Sequence, residues 1–251
     1  MKPIFIPTKS RYDNCKTAEL FGCLSNLYLV VEPQEEMQYK ENYKYFNYII
    51  LPKNNMGLAY ARNYILQYAK KMGYDWFWML DDDISAIYKR EGTKLIKDIN
   101  ALYIAEELIS NDTGQIALEY KQFAWSANKD YVVNSYADVC VCINVLCAIS
   151  NKITFRDEVC LKLDRDFTMQ IINLGYKVKR TTLSAFNAPK NGSNKGGLKY
   201  LYDQKNKELN DSKKMIELWG DDICRLNIKK DGRPDVKIIW KNINKKQLNL
   251  F

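Results

Sequence analysis

The sequence predicts an α/β protein in which a mainly parallel sheet is flanked by helices. Short apolar segments alternate with helical segments over the first half of the chain, which is the pattern of parallel strands joined by helices. The segment DWFWML, residues 75–80, is almost continuously apolar, as expected for a strand that helices cover on both faces. Hydrophobic residues make up 47% of the 251 residues, enough to build a core.

The first half of the chain predicts strands and helices in turn. The predicted strands lie at residues 2–7, 27–31, 48–51 and 75–80. A helical stretch is predicted at 18–24. A longer helix is predicted over 58–72, because apolar residues recur at spacings of three and four from Leu58 onward and Gly73 supplies a stop.

The second half alternates less regularly. A helix is predicted at 94–109 from apolar residues on one side, and another at 164–174, ended by Gly175. A third helix is predicted at 200–218, after a polar loop at 186–198. The predicted strands of this half are 116–118, 138–149 and 236–240.

The composition excludes several kinds of chemistry. The chain has no histidine, so it lacks the commonest general base at neutral pH and the commonest metal ligand. Its seven cysteines occur without a CxxC pair, which argues against a zinc site and favours a reduced, cytoplasmic protein. We find no signal-peptide pattern and no apolar run long enough to span a bilayer, so no membrane partner is expected.

Positive charge is concentrated at the C-terminal end of the chain. Residues 177–251 hold 18 Lys and Arg against 8 Asp and Glu, whereas residues 1–176 hold 20 against 22. Such asymmetry favours a polyanionic partner. A solvated, lysine-rich segment without a partner explains the same counts equally well.

Three adjacent carboxylates form the strongest chemical signal. Asp81, Asp82 and Asp83 follow the apolar strand directly, and they raise one another's pKa unless a cation relieves their repulsion. Asp81 and Asp83 share one side of an extended segment, and Mg²⁺ or Mn²⁺ binds such carboxylates together with phosphates. An acidic turn that caps a helix is the alternative, but the buried strand upstream favours a metal site.

Other polar residues also follow predicted strands. Arg11, Glu32, Asn54 and Asp81 lie just past strand ends, and ligands of open α/β sheets bind beyond the carboxyl ends of the strands. We therefore expect these residues to converge on one rim. Arg62, near the start of the next helix, can meet a diphosphate with its planar donor fork, although a surface arginine on an amphipathic helix has the same pattern.

Two further segments carry weaker signals. Asp164 and Asp166, in LDRDF at a helix start, are candidates for a general base, although Asp is also an ordinary helix cap. The stretch NGSNKGGL, residues 191–198, combines glycines with Lys195, so its backbone N–H groups can close over phosphates. A flexible surface linker is the alternative.

These motifs occur in an order that resembles a known enzyme family. The chain resembles the GT-A glycosyltransferases related to family 2 in the motifs IPTKSR, VVEPQE, NNMGLAYARN, WFWMLDDDI, LDRDF followed by LGY, and GSNKGGL. The closer resemblance is to the TET-associated glycosyltransferases, encoded mainly by bacteriophages with base-hydroxylating dioxygenases. It covers residues 3–200, and the combination of VEPQE, DDDI and GSNKGGL is its most particular part.

The resemblance implies a GT-A fold with a basic C-terminal extension. It divides the chain into a nucleotide-sugar-binding half at 1–115, an acceptor-binding half at 116–200, and a basic helix and strand at 201–251. It implies a UDP-sugar donor and Mn²⁺ or Mg²⁺, with Asp83 as the direct metal ligand and Asp81 near the ribose or the metal. The residues that it implies for UDP-sugar binding are Pro7, Thr8, Arg11, Glu32, Asn55, Arg62, Asp81, Asp82, Lys195, Gly196 and Gly197.

On the acceptor side, the resemblance implies that Asp164 is the catalytic base, with Asp166 as a second candidate. The chain departs from the family pattern in two ways. The Glu that precedes this Asp in the family is Leu163 here, and the late His that often binds the metal is missing. Water, phosphate or an Asn must then complete the metal's coordination.

The implied acceptor is a hydroxymethylated pyrimidine, such as 5-hydroxymethylcytosine, in double-stranded DNA. The basic C-terminal end agrees with it, because duplex binding is largely phosphate neutralisation. The base must be flipped out or reached in the major groove. Two other hypotheses stay open: a GT-A enzyme acting on a glycan or protein hydroxyl, and a non-catalytic nucleic-acid-binding protein, against which the intact Asp81 and Asp83 argue. If a phage encodes the protein, it acts in the host cytoplasm.

Overall fold

A ten-stranded sheet forms the centre of the residues that the computed structural model describes, which are 1–190, 192–193 and 195–246. Its strands are β1 (Ile4–Pro7), β2 (Leu27–Val31), β3 (Asn47–Ile50), β4 (Trp76–Leu80), β5 (Ala86–Glu91), β6 (Lys94–Lys97), β7 (Thr113–Tyr120), β8 (Tyr131–Val133), β9 (Cys140–Asn144) and β10 (Lys177–Asn187). The order is β3-β2-β1-β4-β9-β7-β10-β5-β6, and β8 pairs with β10. Of these strands, β5, β8 and β9 run against the others, so the predicted mainly parallel sheet is confirmed.

Parts of two predicted segments lie outside the described residues. They are Asn191 and Asn194 of the glycine-rich stretch, and residues 247–251 at the C-terminal end. The remaining residues of both segments are described below.

Helices cover both faces of the sheet. The helices are α1 (Lys16–Phe21), α2 (Glu36–Asn42), α3 (Gly57–Lys71), α4 (Ala101–Glu106), α5 (Lys121–Ala124), α6 (Val145–Ser150), α7 (Leu163–Asn173), α8 (Lys199–Tyr202) and α9 (Lys207–Trp219). Helices α3, α6, α7 and α9 pack on one face, and α1, α2 and α4 pack on the other. Among the described helices, none is both long and apolar enough to cross a bilayer.

The central strands contribute side chains to both layers of the core. Phe5 of β1 packs with α3 on one face, while its neighbours Ile4 and Ile6 pack on the other. Strand β4 alternates in the same way, with Phe77 on one side and Trp78 on the other. This two-sided burial explains why residues 75–80 carry so few polar side chains.

The C-terminal elements pack on the same core. A two-stranded ribbon of β11 (Cys224–Ile228) and β12 (Pro234–Ile238) lies against α9. Val236 of the ribbon and Met215 of α9 are buried in the cluster that also holds α3 and α7. Residues 240–246 then form a 3-10 turn, with Ile243 buried in that cluster.

Three predicted boundaries are wrong. The helix predicted at 94–109 begins as strand β6, since residues 94–97 pair with β5 across a turn at Gly92 (φ +60°). The strand predicted at 138–149 ends at Asn144, whose side chain accepts a hydrogen bond from the backbone N–H of Cys147 (2.9 Å) and caps α6. The helix predicted at 200–218 is broken into α8 and α9 at Asn206, which adopts a left-handed conformation (φ 67°).

Sequence patterns did not predict β5, β8, β10, β11 or α2. Strand β10 illustrates the reason. Its buried side chains include Arg180, Thr181, Thr182 and Ser184, which are polar. The three hydroxyls donate to backbone carbonyls of other segments, and Arg180 forms an ion pair with Glu119. A buried strand with polar inward positions lacks the apolar alternation by which strands are predicted.

Candidate active site

The carboxyl ends of β2, β1 and β4 meet at one edge of the sheet, because these strands are adjacent and parallel. A cleft of about 1300 Å³, including its open mouth, lies at this edge. The structure therefore brings together most of the residues predicted for the rim. The predicted site residues that line the cleft are Pro7, Thr8, Arg11, Glu32, Arg62, Asp81, Asp82, Asp83, Asp164, Gly196 and Gly197.

Arg11 holds two members of the acidic triplet. Its Nη1 contacts Asp82 and lies 3.1 Å from an oxygen of Asp83. The other oxygen of Asp82 accepts a hydrogen bond of 2.6 Å from the hydroxyl of Thr8. Asp82 is buried, so of the three carboxylates it is the one fixed inward, against the loop that follows β1.

Arg62 links Asp81 to Asp164. Its Nη2 lies 2.8 Å from Asp81 and its Nη1 lies 2.5 Å from Asp164. The arginine is buried, whereas the two carboxylates keep 33% and 26% of their side chains exposed to the cleft. One guanidinium thus joins the end of β4 to the start of α7, and its Nε is buried without a hydrogen-bond partner.

The electrostatics of the triplet agree with a site built to receive a cation. Burial raises the pKa of Asp81 well above its ordinary value, and the nearby carboxylates of Asp164 and Asp83 add to the shift against the opposing charge of Arg62. Burial also raises the pKa of Asp82 to about 6, although Arg11 and Thr8 oppose the shift. The two arginines therefore relieve the repulsion within the triplet only in part.

The glycine-rich stretch lies against the loop after β1. The backbone N–H of Gly197 donates to the carbonyl of Lys9 (3.1 Å), and Arg11 donates through Nε to the carbonyl of Lys195 (3.1 Å). Gly196 has a φ of +79°, and a Cβ at this position would come within 2.7 Å of the carbonyl oxygen of Ser10. A residue without a side chain is required at this position, where the stretch closes one side of the cleft.

A family model for TET-associated glycosyltransferases matches residues 2–197, more than half of the chain. The protein belongs to the TET-associated glycosyltransferase family. The family match confirms the resemblance seen in the motifs, and it places the chain among glycosyltransferases. No functionally curated protein matches the sequence.

Solved structures agree with this assignment at the level of the fold. The chain is similar to S. aureus TarS 1–349, with a TM-score of 0.51 and 15% identity over 74% of this chain and 59% of that one. The same TarS fragment in complex with UDP-GlcNAc gives a TM-score of 0.52 and 15% identity, covering 86% and 67%. The likeness confirms the predicted GT-A architecture, and the chain spans about three-fifths of the first TarS structure.

Three of the predicted site residues do not line the cleft. Asn55 lies beside it and accepts a hydrogen bond from Lys9 (2.7 Å), which also pairs with Glu32. Lys195 contributes its backbone carbonyl to Arg11 and is not among the lining residues. Asp166 is fully buried on the other side of α7, where it accepts a hydrogen bond of 2.8 Å from the indole Nε1 of Trp219.

The cleft also contains a carboxylate, Asp138, that the sequence analysis did not predict as a site residue. Asp138 lines the cleft two residues before the start of β9, and burial raises its pKa to about 6. The hydroxyl of Tyr120 hydrogen-bonds to it. The next residue, Val139, has a φ of +63° and accepts a hydrogen bond at its carbonyl from the N–H of Asp81 (2.9 Å). A β-branched residue in this conformation is a local signal of strain, but it is visible only in the structure.

The donor set of the cleft limits what kind of metal it could hold. Among the described residues, no group of three or more His, Cys, Asp and Glu side chains is arranged to bind a metal ion. Asp81 and Asp83 are the carboxylates of the triplet that keep exposed surface in the cleft. This set fits Mg²⁺ or Mn²⁺, which take one or two carboxylates and complete their shell with phosphates and water.

Proposed function

We propose that the protein transfers a sugar from a UDP-sugar to the hydroxyl of a 5-hydroxymethylpyrimidine in DNA. The observation that carries the proposal is the Arg62 bridge, which sets Asp81 of the donor side and Asp164 of the acceptor side within reach of one guanidinium. Membership of the TET-associated glycosyltransferase family supports the reaction class.

The donor side of the proposal depends on the rim formed by β1, β2 and β4. TarS, whose fold is similar, has been solved in complex with UDP-GlcNAc, and this supports a UDP-sugar as the donor. Glu32 and Arg11 line the nucleotide end of the cleft. Arg62 lines the cleft beside these residues, where its guanidinium would approach an oxygen of the diphosphate or the sugar.

Asp83 and Asp81 would hold Mn²⁺ or Mg²⁺. When bound, the cation would stabilise the negative charge that develops on the departing UDP. Burial, and then the neighbouring carboxylates of Asp164 and Asp83, raise the pKa of Asp81 against the opposing charge of Arg62, and a bound cation would offset these effects. When the cation binds, Asp83 must then either contact Arg11 and the cation together or exchange Arg11 for the cation.

Asp164 is the proposed base. It lines the cleft at the first turn of α7 and keeps part of its side chain exposed there, unlike Asp166. It would take the proton of the acceptor hydroxyl as that oxygen bonds to C1 of the sugar. The bond from C1 to the diphosphate oxygen breaks in the same step, so UDP leaves and the configuration at C1 is inverted.

A screen of acceptors and donors tests the proposal. The purified protein is incubated with Mn²⁺, a panel of UDP-sugars, and duplex DNA that carries either cytosine or 5-hydroxymethylcytosine. We expect the mass of the hydroxymethylated nucleoside to increase by one sugar residue with at least one donor, and the plain nucleoside to stay unchanged. If sugar is transferred to a glycan or protein hydroxyl in parallel reactions and neither DNA changes mass, the acceptor is that glycan or protein and not DNA.

A further inference from the structure

The two-stranded ribbon at the C-terminal end has an unusual surface. Residues 225–237 hold five Lys and Arg against two Asp. Most of β11 is exposed, including the apolar side chains of Leu226 (47%) and Ile228 (57%). The ribbon lies beyond residue 197, where the family match ends, so the family assignment accounts for none of this surface.

The register of the ribbon places two cations opposite each other. Arg225 of β11 pairs directly with Lys237 of β12, and both are exposed. Like charges at directly opposed positions destabilise a strand pair. Asp235 lies on the same face, but it is buried and pairs with three other cations. The ribbon's own carboxylates therefore do not offset the repulsion between Arg225 and Lys237, and an external anion would relieve it.

The end of the ribbon next to its turn, where Asp235 pairs with Asn227, is fixed beside the acceptor end of the cleft. Asp235 lies 2.8 Å from Lys162 and 2.7 Å from Arg165. These two residues lie on either side of Leu163 and Asp164 at the start of α7. Burial acts to raise the pKa of Asp235, but the charges and hydrogen bonds of Arg165 and Lys162 outweigh it and lower that pKa. The ribbon is therefore held next to the carboxylate that faces the acceptor.

Other lysines of the basic C-terminal end are already neutralised. Lys199 pairs with Asp203, Lys207 pairs with Asp211 (2.7 Å), and Lys214 pairs with Glu217 (2.9 Å) within their helices. The ribbon, with five Lys and Arg against two Asp in residues 225–237, has a net charge of +3, whereas residues 199–219, which include α8 and α9, have five Lys against two Asp and two Glu, a net charge of +1. This difference separates a specific anion-binding surface from a generally lysine-rich segment.

We propose that the ribbon β11–β12 binds the phosphate backbone of duplex DNA through Arg225, Lys230 and Lys237 and so holds the duplex at the acceptor end of the cleft. The inference rests on the proposed DNA acceptor. Phosphate neutralisation by Lys and Arg supplies most of the affinity for duplex DNA, and a two-stranded ribbon is narrow enough to enter the major groove.

The test is a salt series of duplex-binding measurements by fluorescence anisotropy. The triple variant Arg225→Ser, Lys230→Ser and Lys237→Ser is compared with wild type. We expect weaker binding at every salt concentration. The slope of log affinity against log salt should be smaller by ~0.9 for each phosphate that is no longer neutralised, or roughly 2 to 3 in all. UDP binding should be unchanged, which also reports that the variant is folded.

The matched control removes three exposed cations elsewhere, in Lys44→Ser, Lys70→Ser and Lys71→Ser. Lys70 and Lys71 end the 15-residue helix α3, which begins at the cleft and carries them roughly 20 Å away. We expect the control to keep the wild-type salt slope. If the triple ribbon variant does not fold, Lys230→Ser alone, in the exposed turn, should lower the slope by ~0.9.

The possible results distinguish a failure of the ribbon proposal from a failure of the proposed reaction. Coincident curves for wild type and the ribbon variant, or no binding of duplex DNA by the wild type, overturn the ribbon proposal. Ribbon-dependent binding without sugar transfer to hydroxymethylated DNA supports the ribbon and overturns the proposed acceptor. A decrease of affinity in the control equal to that in the ribbon variant would mean that total charge, and not this surface, attracts DNA.

Discussion

The proposed donor side and the proposed acceptor side of the cleft are built in different ways. The donor side consists of residues that follow three adjacent parallel strands, β2, β1 and β4. The acceptor side consists of Asp138 before an antiparallel strand, Asp164 on α7, and a ribbon that is attached through Asp235. The first is organised by local sequence, whereas the second is assembled from segments far apart in the chain.

This difference explains why the two sides respond differently to substitution. A donor-side carboxylate such as Asp83 would act on the charge of the reacting diphosphate, so its removal should affect chemistry. The ribbon lies outside the cleft lining and would position the DNA, so removal of its cations should affect acceptor binding. The predictions below test this division.

Asp83→Asn should have the largest effect. It removes one ligand charge from the proposed cation, and the removal of a group that stabilises developing charge costs about 10²–10³-fold in rate. Transfer is measured with saturating Mn²⁺ and UDP-sugar, and circular dichroism checks the fold. Asp112→Asn, the same change at the exposed amino end of β7, should leave the rate unchanged. A folded Asp83→Asn variant with wild-type turnover would remove Asp83 from the reaction.

Asp164→Asn should have the next largest effect. The amide keeps the size of the side chain but cannot accept a proton, so transfer should fall by about 10²–10⁴-fold while the affinity for the UDP-sugar stays within a few fold. Asp138→Asn provides the comparison, because both carboxylates line the same cleft. If Asp138→Asn abolishes transfer and Asp164→Asn does not, the base is Asp138, and the rate should rise with pH through about 6.

Asp138→Asn should also change stability, by a smaller and pH-dependent amount. Burial raises the pKa of Asp138 in the folded protein above its ordinary value of 3.8, to about 6, so the fold binds this proton more tightly than the unfolded chain does. Ionised Asp138 therefore destabilises the fold above pH 6. We expect the variant to have a higher Tm than wild type at pH 7.5, and the difference to shrink as the pH falls toward 4. An equal difference at both pH values would contradict the raised pKa.

The sequence predicted which residues gather at the edge formed by β2, β1 and β4, because the physical basis of that edge is local. An apolar strand followed by Asp81, Asp82 and Asp83 is visible without any knowledge of pairing, and adjacent parallel strands must end at one edge. The individual roles were harder to predict. Asp82 lies inward against Arg11, and Asp166 is covered by Trp219, because helix geometry places it on a different face from Asp164.

Several other elements could not be predicted from local sequence. Strand β10 has polar buried positions, so it carries no apolar alternation, and α2 is short. The interpretation of residues 94–109 as one helix combined apolar residues from β6 and α4, which are separate elements. The opposed pair of Arg225 and Lys237 depends on strand register, which composition does not reveal.

The most direct test of the two-sided account is the rate of sugar transfer measured against the concentration of hydroxymethylated duplex DNA, with Mn²⁺ and UDP-sugar saturating. We expect Asp83→Asn to lower the maximal rate and to leave the half-saturating DNA concentration within a few fold. We expect the ribbon variant to raise the half-saturating concentration and to leave the maximal rate near that of wild type. The reverse pattern, or a change of both quantities in each variant, would contradict the division between a donor side that performs the chemistry and a ribbon that holds the DNA.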